Sequence, residues 1–341
     1  MLKKLCILIS LLLFFTGCAA KDNSTSESIT TYALDTVITI NLYDEGSEAI
    51  FTRMTNRINE IETLMSKHIA GSEVDLINQN AGIKPVVVSQ DTYKVVERAL
   101  MYAKLSKGSF DPTIGPIVDL WGIGTEEARV PSRDEITQKL NYVDYEAIIL
   151  DEQERSVYLG KTDMSIDLGA IAKGFVADEL VLILKNEGIS KAIINLGGNV
   201  YAYGEKDNGD EWKIAIQTPY DQRNVNFGYV EIKDKTVVTS GPYERYFEED
   251  GKTYHHIFDA NTGYPIDGET VSVTIVTQSS MDADALSTLL FTMNQKDGLD
   301  LIESIDGVEC LYIDQDYEIR MSSGFEEMFT LTDHTYKIVD N

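Results

Sequence analysis

The hydrophobic pattern of the chain constrains its fold most, because strand and helix periodicities are mixed without the regular alternation of a doubly wound sheet. Residues 36–42 alternate as in a half-buried strand, and residues 48–67 show the apolar spacing of an amphipathic helix. The pattern predicts an α+β fold of mixed sheets with packed helices. Further helices are predicted over 90–105, 172–186 and 283–293, and further strands over 147–150, 156–159, 165–168, 192–195, 212–217, 226–232, 236–239 and 271–277.

The length of the chain indicates the size of its folded domain, and its net charge excludes some classes of partner. With 341 residues, 43% of them hydrophobic, the chain can bury the core of one large domain or of two intimately packed halves. Acidic residues outnumber basic ones by 56 to 29, which gives a net charge of −27. Phosphate binding along a nucleic acid needs concentrated Lys and Arg, so the composition excludes a nucleic-acid partner and disfavours docking on anionic lipid.

The N-terminus predicts export and a lipid anchor. Lys3 and Lys4 precede an apolar run over 5–15, which suits a signal peptide and is shorter than the ~20 residues that span a bilayer. The run ends in Phe-Thr-Gly before Cys18, which resembles a lipobox. We therefore expect a signal peptide over 1–17, a lipidated Cys18 with a polar tether over 18–31, and a folded domain over 32–341 on the extracytoplasmic face of the cell membrane. An ordinary signal cut near Ala19 or Ala20 is the alternative.

The cysteines predict no disulfide. Cys6 leaves with the signal peptide and Cys18 would carry lipid, so Cys310 has no partner. Cys310 lies in a strand-like run and is expected to be buried.

Residues 239–265 hold the densest group of polar and turn residues. His255 and His256 are adjacent between two turns that contain glycine and proline. Neighbouring side chains of a strand point to opposite faces, so only one of the two histidines can face a given pocket. A surface hairpin with incidental histidines is the alternative interpretation.

A second candidate site comes from Asp284 and Thr288, which lie four residues apart on one face of the helix predicted over 283–293. A carboxylate and a hydroxyl suit Mg²⁺, which usually completes its octahedron with waters and substrate phosphates. Alternatively, Asp284 is an ordinary first-turn acid and Thr288 a core residue. Residues 167–170 close a predicted strand before a helix, where free backbone N–H groups can receive anionic oxygens.

These motifs, taken in order along the chain, resemble the ApbE family of FAD:protein FMN transferases. The matching segments are GSFDPTIGP (108–116), LWG (120–122), DLGAIAKG (167–174), NLGG (195–198), SGPYERYF (240–247), YHHIFDANTGYP (254–265) and DADALST (282–288). The resemblance implies a single ApbE-type, T-fold-like domain. It also implies a reaction in which the FMN half of FAD is transferred to a Thr or Ser hydroxyl of a partner protein through a phosphoester bond, releasing AMP.

The resemblance also implies the roles of individual residues. His256 would be the catalytic base, with His255 pointing away, and Asp284 would be catalytic as a metal ligand. Arg245 and Glu244 are expected to be structural, as an ion pair or a turn anchor. Mg²⁺ would be held by the backbone carbonyl of Ala170 and by Asp284 and Thr288, and FAD would contact Leu34, His68, Ser109, Phe110, Asp111, Asp167, Lys173, His256 and Phe258.

Five positions depart from the family pattern, among them Leu34, which replaces a methionine, and Pro242 in the segment SGPYERYF. Asp35 replaces a glycine next to Leu34, His68 replaces an aromatic residue that stacks on the flavin, and Ala260 replaces a proline. Imidazole can still stack, with less surface. For Phe110, core packing is the alternative interpretation, and for His68 it is an exposed position at the end of a helix.

Three other functions stay open from the sequence. A related enzyme could hydrolyse FAD to FMN and AMP on the same metal site, or a lipoprotein could bind flavin without turnover. A solute-binding lipoprotein shares the anchor, but it does not explain the histidine and DADALST segments. The expected acceptor is an extracytoplasmic flavoprotein with an FMN-binding domain, of the kind found as a subunit of membrane redox complexes.

Overall fold

The computed structural model describes residues 26–44, 48–219 and 225–341. The predicted signal peptide over 1–17, Cys18 and residues 19–25 of the tether lie outside the described residues. Within those ranges no helix is both long and apolar enough to cross a membrane. Cys310 is fully buried, as predicted.

The described residues form a mixture of helices and strands. The helices are α1 (Glu48–Met65), α2 (Glu73–Gln79), α3 (Gln90–Leu105), α4 (Gly115–Trp121), α5 (Arg133–Leu140), α6 (Ala172–Asn186), α7 (Ser280–Phe291) and α8 (Gln295–Ile302), with a short 3₁₀ helix at Tyr145–Ala147. The strands are β1 (Glu27–Ala33), β2 (Thr36–Leu42), β3 (Val86–Val87), β4 (Ile148–Asp151), β5 (Ser156–Leu159), β6 (Ala192–Leu196), β7 (Asn199–Tyr203), β8 (Trp212–Gln217), β9 (Asn226–Ile232), β10 (Lys235–Ser240), β11 (Tyr246–Glu249), β12 (Lys252–His255), β13 (Thr270–Thr277), β14 (Glu309–Asp314), β15 (Glu318–Met321), β16 (Phe329–Leu331) and β17 (Lys337–Ile338).

One large sheet organises the molecule. Its nine strands lie in the order β1-β2-β6-β7-β10-β13-β14-β15-β17, antiparallel except where β15 pairs with β17. Two three-stranded sheets, β16-β9-β8 and β3-β5-β4, and the hairpin β11-β12 complete the fold. The predicted α+β class with mixed sheets is confirmed.

The two faces of the large sheet pack against different partners, as the strand β14 shows. Cys310 and Tyr312 point into the main core, which they share with the buried faces of α1, α6 and α7. Leu311 and Ile313 point to the other face, where β8 and β9 cover them. This alternation follows from the two-residue period of a strand, and it places the helices on one side of the sheet.

The helices α6 and α7 approach each other unusually closely at their first turns. A Cβ atom on Gly174 would lie 2.1 Å from the carbonyl oxygen of Ser280, so no larger side chain fits there. The carboxylate of Asp178 accepts the backbone N–H groups of Ser280 and Met281 at 2.8 and 3.0 Å, which caps α7 from α6. These contacts fix the register of the two helices.

Two sequence predictions about the fold are wrong. The strand predicted over 165–168 is irregular, because the backbone of Ile166 is hydrogen-bonded at both N–H and C=O by the side-chain amide of Asn78. The folded domain begins before Tyr32, because β1 starts at Glu27 and pairs along its whole length with β2. The polar composition of residues 27–31 predicted an unfolded tether. An edge strand that is largely exposed can carry polar residues, so this composition is compatible with β1. By contrast, the predicted bounds of α3 and α6 are confirmed.

Candidate functional site

Asp284 lies at the centre of the candidate site, on the side of α7 that meets the first turn of α6. The residue is 4% exposed, and its carboxylate accepts the backbone N–H of Gly174 at 3.0 Å and the ammonium of Lys173 at 3.2 Å. An ionised carboxylate taken out of water needs such partners. Lys173 and Gly174 therefore compensate the negative charge of Asp284.

The surroundings of Lys173 show what kind of ion this place can hold. Its ammonium also donates to the backbone carbonyl of Gly169 at 3.1 Å, so a positive charge stands between a carbonyl oxygen and a carboxylate. Thr288 follows Asp284 by one turn of α7, and Ala170 adjoins Gly169; both are half-buried. In the described residues, no three His, Cys, Asp or Glu side chains converge on a metal position. The donors fit a hard cation held by one carboxylate and neutral oxygens.

The imidazole of His256 is held in one tautomer by the backbone of Arg245. Its Nδ1 lies 3.2 Å from the carbonyl oxygen of Arg245, which also accepts the backbone N–H of His256. A carbonyl oxygen can only accept, so Nδ1 carries the proton and Nε2 keeps a free lone pair. The pKa of His256 is lowered to about 4, mainly by burial and also by the positive charges of Arg245 and Lys173. The ring is therefore neutral at pH 7.

His255 has the opposite tautomer and a different surrounding. It is 7% exposed, its Nε2 donates to the carbonyl of Ile266 at 2.8 Å, and its Nδ1 accepts the backbone N–H of Ile257 at 3.2 Å. Its ring stands edge-on to Phe291, and burial lowers its pKa. His255 thus points into the protein interior, as predicted, and links the two ends of the segment that follows it.

That segment forms a tight loop whose geometry does not depend on proline. The carboxylate of Asp259 accepts the hydroxyl of Thr262 at 3.0 Å, and its carbonyl accepts the backbone N–H of Gly263 at 2.8 Å. The indole N–H of Trp121 donates to the carbonyl of Gly263 at 2.8 Å. These bonds close the turn, so Ala260 can stand where the family pattern has proline.

The turn between β1 and β2 contacts Arg245, whose carbonyl oxygen holds the ring of His256. Leu34 and Asp35 form a two-residue hairpin turn, and both have left-handed φ values, 53° and 55°. Asp tolerates this conformation better than most residues, so the turn keeps its shape without the family glycine. Glu62 accepts the backbone N–H of Leu34 at 2.6 Å, and Arg245 donates to the carbonyl of Asp35 at 3.3 Å. Leu34 is half-buried at this position.

Asp167 is fixed by a lysine that sequence analysis did not identify. Lys67, which is largely buried, lies 3.0 Å from the carboxylate of Asp167 and 2.7 Å from that of Asp119. Burial opposes the charge of Asp167, but Lys67 and the backbone N–H of Gly169 outweigh it, and the pKa of Asp167 is lowered. His68 follows Lys67 and is exposed. No sequence signal pointed to Lys67, because both of its partners are distant in the chain.

Four other residues assigned to the flavin site have packing or loop roles in the structure. Phe110 is 5% exposed and lies in the main core, and Phe258 is 7% exposed and packs on Trp121. Asp111 is buried, which raises its pKa, and its carboxylate accepts backbone N–H groups of its own loop and a neighbouring one. Ser109 is half-buried. That these four residues contact a flavin stays a prediction.

Known proteins resemble this chain over most of its length. The ApbE family model matches residues 34–312. A FAD:protein FMN transferase of Klebsiella pneumoniae is 36% identical over 303 residues, which cover 89% of this chain and 94% of that protein. A FAD:protein FMN transferase of Treponema pallidum is also 36% identical, over 84% of this chain and 82% of that protein.

Solved structures of other proteins have the same fold as this chain. The ApbE protein of Thermotoga maritima superposes with a TM-score of 0.82 at 32% identity, covering 89% of this chain and 99% of that one. The flavin transferase ApbE of Vibrio cholerae superposes with a TM-score of 0.80 at 30% identity and the same coverage. With a family model that spans most of the chain and relatives of this identity, the protein belongs to the ApbE family.

Proposed function

We propose that this protein transfers the FMN half of FAD to a Thr or Ser hydroxyl of a partner protein in a reaction that depends on Mg²⁺ and releases AMP. The enzyme class predicted from the sequence, FAD:protein FMN transferase, agrees with the names of the relatives. The observation that carries the proposal is that Lys173 contacts Asp284 while its positive charge also acts on His256, whose pKa is lowered mainly by burial. This arrangement supports a site in which His256 would be the base and Asp284 would help to hold a cation.

The metal would be held by the carboxylate of Asp284, the hydroxyl of Thr288 and the backbone carbonyl of Ala170. When bound, Mg²⁺ would neutralise charge on the pyrophosphate oxygens of FAD. Lys173 now lies between the carboxylate of Asp284 and the carbonyl of Gly169. With the cation in place, its ammonium would be free to turn toward the phosphates, together with the positive N-terminal end of α6.

His256 would act as the general base. Its Nε2 lone pair takes the proton of the acceptor hydroxyl while the hydroxyl oxygen forms a bond to the phosphorus of the FMN half. The bond between that phosphorus and the oxygen of the AMP half breaks, and AMP leaves with the bonding electrons. The carbonyl of Arg245 keeps the proton of His256 on Nδ1, so the ring meets the acceptor in the form that can accept.

The location of the enzyme is a proposal that rests on the sequence. A lipid on Cys18 would anchor the protein at the extracytoplasmic face of the membrane, since the net charge of −27 gives no attraction to anionic lipid. The acceptor would be an extracytoplasmic flavoprotein with an FMN-binding domain. Both partners would then meet outside the membrane.

Incubation of the purified protein with FAD and a candidate acceptor of this type tests the function. With Mg²⁺ we expect a covalent FMN adduct on the acceptor and one AMP per adduct, measured by mass spectrometry and chromatography. With EDTA in place of Mg²⁺ we expect neither product. An acceptor whose target Thr or Ser is replaced by Ala is the matched control. Free FMN without an adduct would instead identify a FAD pyrophosphatase, and unchanged FAD a flavin-binding protein.

The rate of transfer should depend on pH through His256. A lowered pKa means that the imidazole stays neutral, and therefore able to accept a proton, down to a pH of about 4. We expect kcat/KM for FAD to be constant at neutral pH and to fall as the pH drops through about 4, whereas an unperturbed histidine would give a midpoint near 6.5. Titration of the ring protons by NMR, assigned with His256→Asn, measures the same pKa directly. A midpoint near 6.5 in both measurements would show that burial does not lower the pKa of His256.

A further inference from the structure

We propose that Arg245 is a phosphate-binding residue of this site, and that its guanidinium contacts the pyrophosphate of FAD. This inference rests on the proposed function and deepens it. The sequence predicts a structural role for Arg245, as an ion pair with Glu244 or as a turn anchor. The described residues show no ion pair between the two, and Arg245 does donate to the β1–β2 turn, so a phosphate contact would be a role beyond that of a turn anchor. The argument depends on where Arg245 is attached, on what its side chain leaves unused, and on the charges around it.

Arg245 is attached to the site through its backbone. Its carbonyl oxygen accepts both the backbone N–H and the ring Nδ1 of His256, each at 3.2 Å. The side chain extends to the β1–β2 turn, where one terminal nitrogen donates to the carbonyl of Asp35 at 3.3 Å. Arg245 therefore connects the segment just after β12, which carries His256, with the turn that carries Leu34, which the family resemblance assigns to the flavin.

The side chain of Arg245 keeps most of its binding capacity unused. It is exposed, and across residues 26–44, 48–219 and 225–341 no carboxylate oxygen lies within 4.0 Å of its guanidinium. A guanidinium has five N–H donors in a planar fork, and one bond to a neutral carbonyl occupies one of them. The others match the geometry of phosphate oxygens.

The charges of the neighbouring residues agree with an anionic ligand. Lys173 and Arg245 come from different parts of the chain, yet the positive charges of both act on His256. The charge of Lys173 is compensated by Asp284, whereas Arg245 makes no ion pair with any carboxylate in the part of the chain that the structure describes. An anion between the two would contact Lys173 on the α6 side and Arg245 on the hairpin side. A pyrophosphate carries negative charge on each of its two phosphates, so two separate cations can bind it.

A purely structural role predicts a different result. If Arg245 served only to hold the β1–β2 turn, its removal would disturb Leu34 and weaken the binding of any flavin, with or without phosphates. If it binds phosphate, its removal would weaken FAD but leave riboflavin unaffected, since riboflavin carries no phosphate. The side chain can be changed without loss of the hydrogen bonds to His256, because those bonds use the backbone carbonyl.

The experiment compares full-length wild type, Arg245→Gln, Arg245→Lys and Arg155→Gln. Arg155 is an exposed arginine of the β4–β5 turn and serves as the matched control. Dissociation constants for FAD and riboflavin are measured by flavin fluorescence in the presence of Mg²⁺, and thermal unfolding checks the fold. For Arg245→Gln we expect FAD binding to weaken roughly ten- to hundredfold with riboflavin unchanged, and Arg245→Lys to recover part of the loss. Arg155→Gln should match wild type.

The outcomes separate this inference from the proposed function. Equal losses for FAD and riboflavin, or no loss for either, would overturn the role of Arg245 while leaving transfer intact in the wild type. FAD-specific weakening in a protein that only hydrolyses FAD would support Arg245 and refute transfer. A wild-type protein that binds no FAD would overturn both.

Discussion

Replacement of His256 by Asn is expected to reduce FMN transfer roughly 10²- to 10⁴-fold while leaving the affinity for FAD within a few-fold of wild type. The side-chain amide of Asn can still donate to the carbonyl of Arg245, where His256 Nδ1 now lies at 3.2 Å. What is lost is the free Nε2 lone pair. Single-turnover transfer at saturating FAD measures the chemical step, and fluorescence titration measures FAD binding.

The variant His256→Ala provides the control for a missing base. It leaves space at the site, so added imidazole should restore transfer in proportion to its concentration, whereas it should not stimulate the wild type. Transfer that stays within tenfold of wild type in both variants would rule out His256 as the base. A parallel loss of FAD affinity would assign the ring to binding.

Replacement of Asp284 by Asn is expected to lower transfer roughly 10²- to 10³-fold and to abolish measurable Mg²⁺ binding. The amide oxygen can still accept the backbone N–H of Gly174, now at 3.0 Å from the carboxylate, so the packing of α6 on α7 should survive. The charge that would hold the metal, and that now holds Lys173, is removed. Calorimetry with Mg²⁺ and FAD, together with single-turnover transfer, measures both effects.

Asp282→Asn is the matched control on the same helix. Its carboxylate forms an ion pair with Arg98 at 3.2 Å. The proposed reaction does not use this ion pair. We expect this variant to bind Mg²⁺ and transfer FMN as the wild type does. Normal transfer by Asp284→Asn, with Mg²⁺ still required, would place the metal elsewhere.

Local patterns were sufficient for the four longest helices, α1, α3, α6 and α7, and for about half of the strands. The bounds of α3 and α6 followed from hydrophobic periodicity, because each helix buries one continuous face in the main core. The strand predicted over 165–168 failed because Asn78, far away in the sequence, takes the hydrogen bonds that a sheet would have used. The pattern of neighbouring residues contains no information about a hydrogen bond from a side chain so far away in the sequence.

In the candidate site, too, some residues could be predicted from the sequence and others could not. The ordered motifs identified His256, Asp284 and Lys173, and in the structure Lys173 contacts Asp284 while its positive charge also acts on His256. The role of Lys67 could not be predicted, because its importance comes from two carboxylates brought to it by folding. The departure at Asp35 could not be interpreted from the sequence, since only the backbone angles show that Asp35 has a left-handed conformation, which glycine adopts readily.

The close contact between α6 and α7 also determines how the two parts of the site can open. Asp284 lies on a helix buried between α6 and the central strands β10 and β13, so its displacement requires the separation of the main core. His256 directly follows the two-stranded sheet β11–β12, whose residues are mostly exposed. Local opening of that hairpin breaks far fewer buried contacts. In the proposed reaction, displacement of this hairpin would therefore expose His256 to an acceptor segment without moving Asp284.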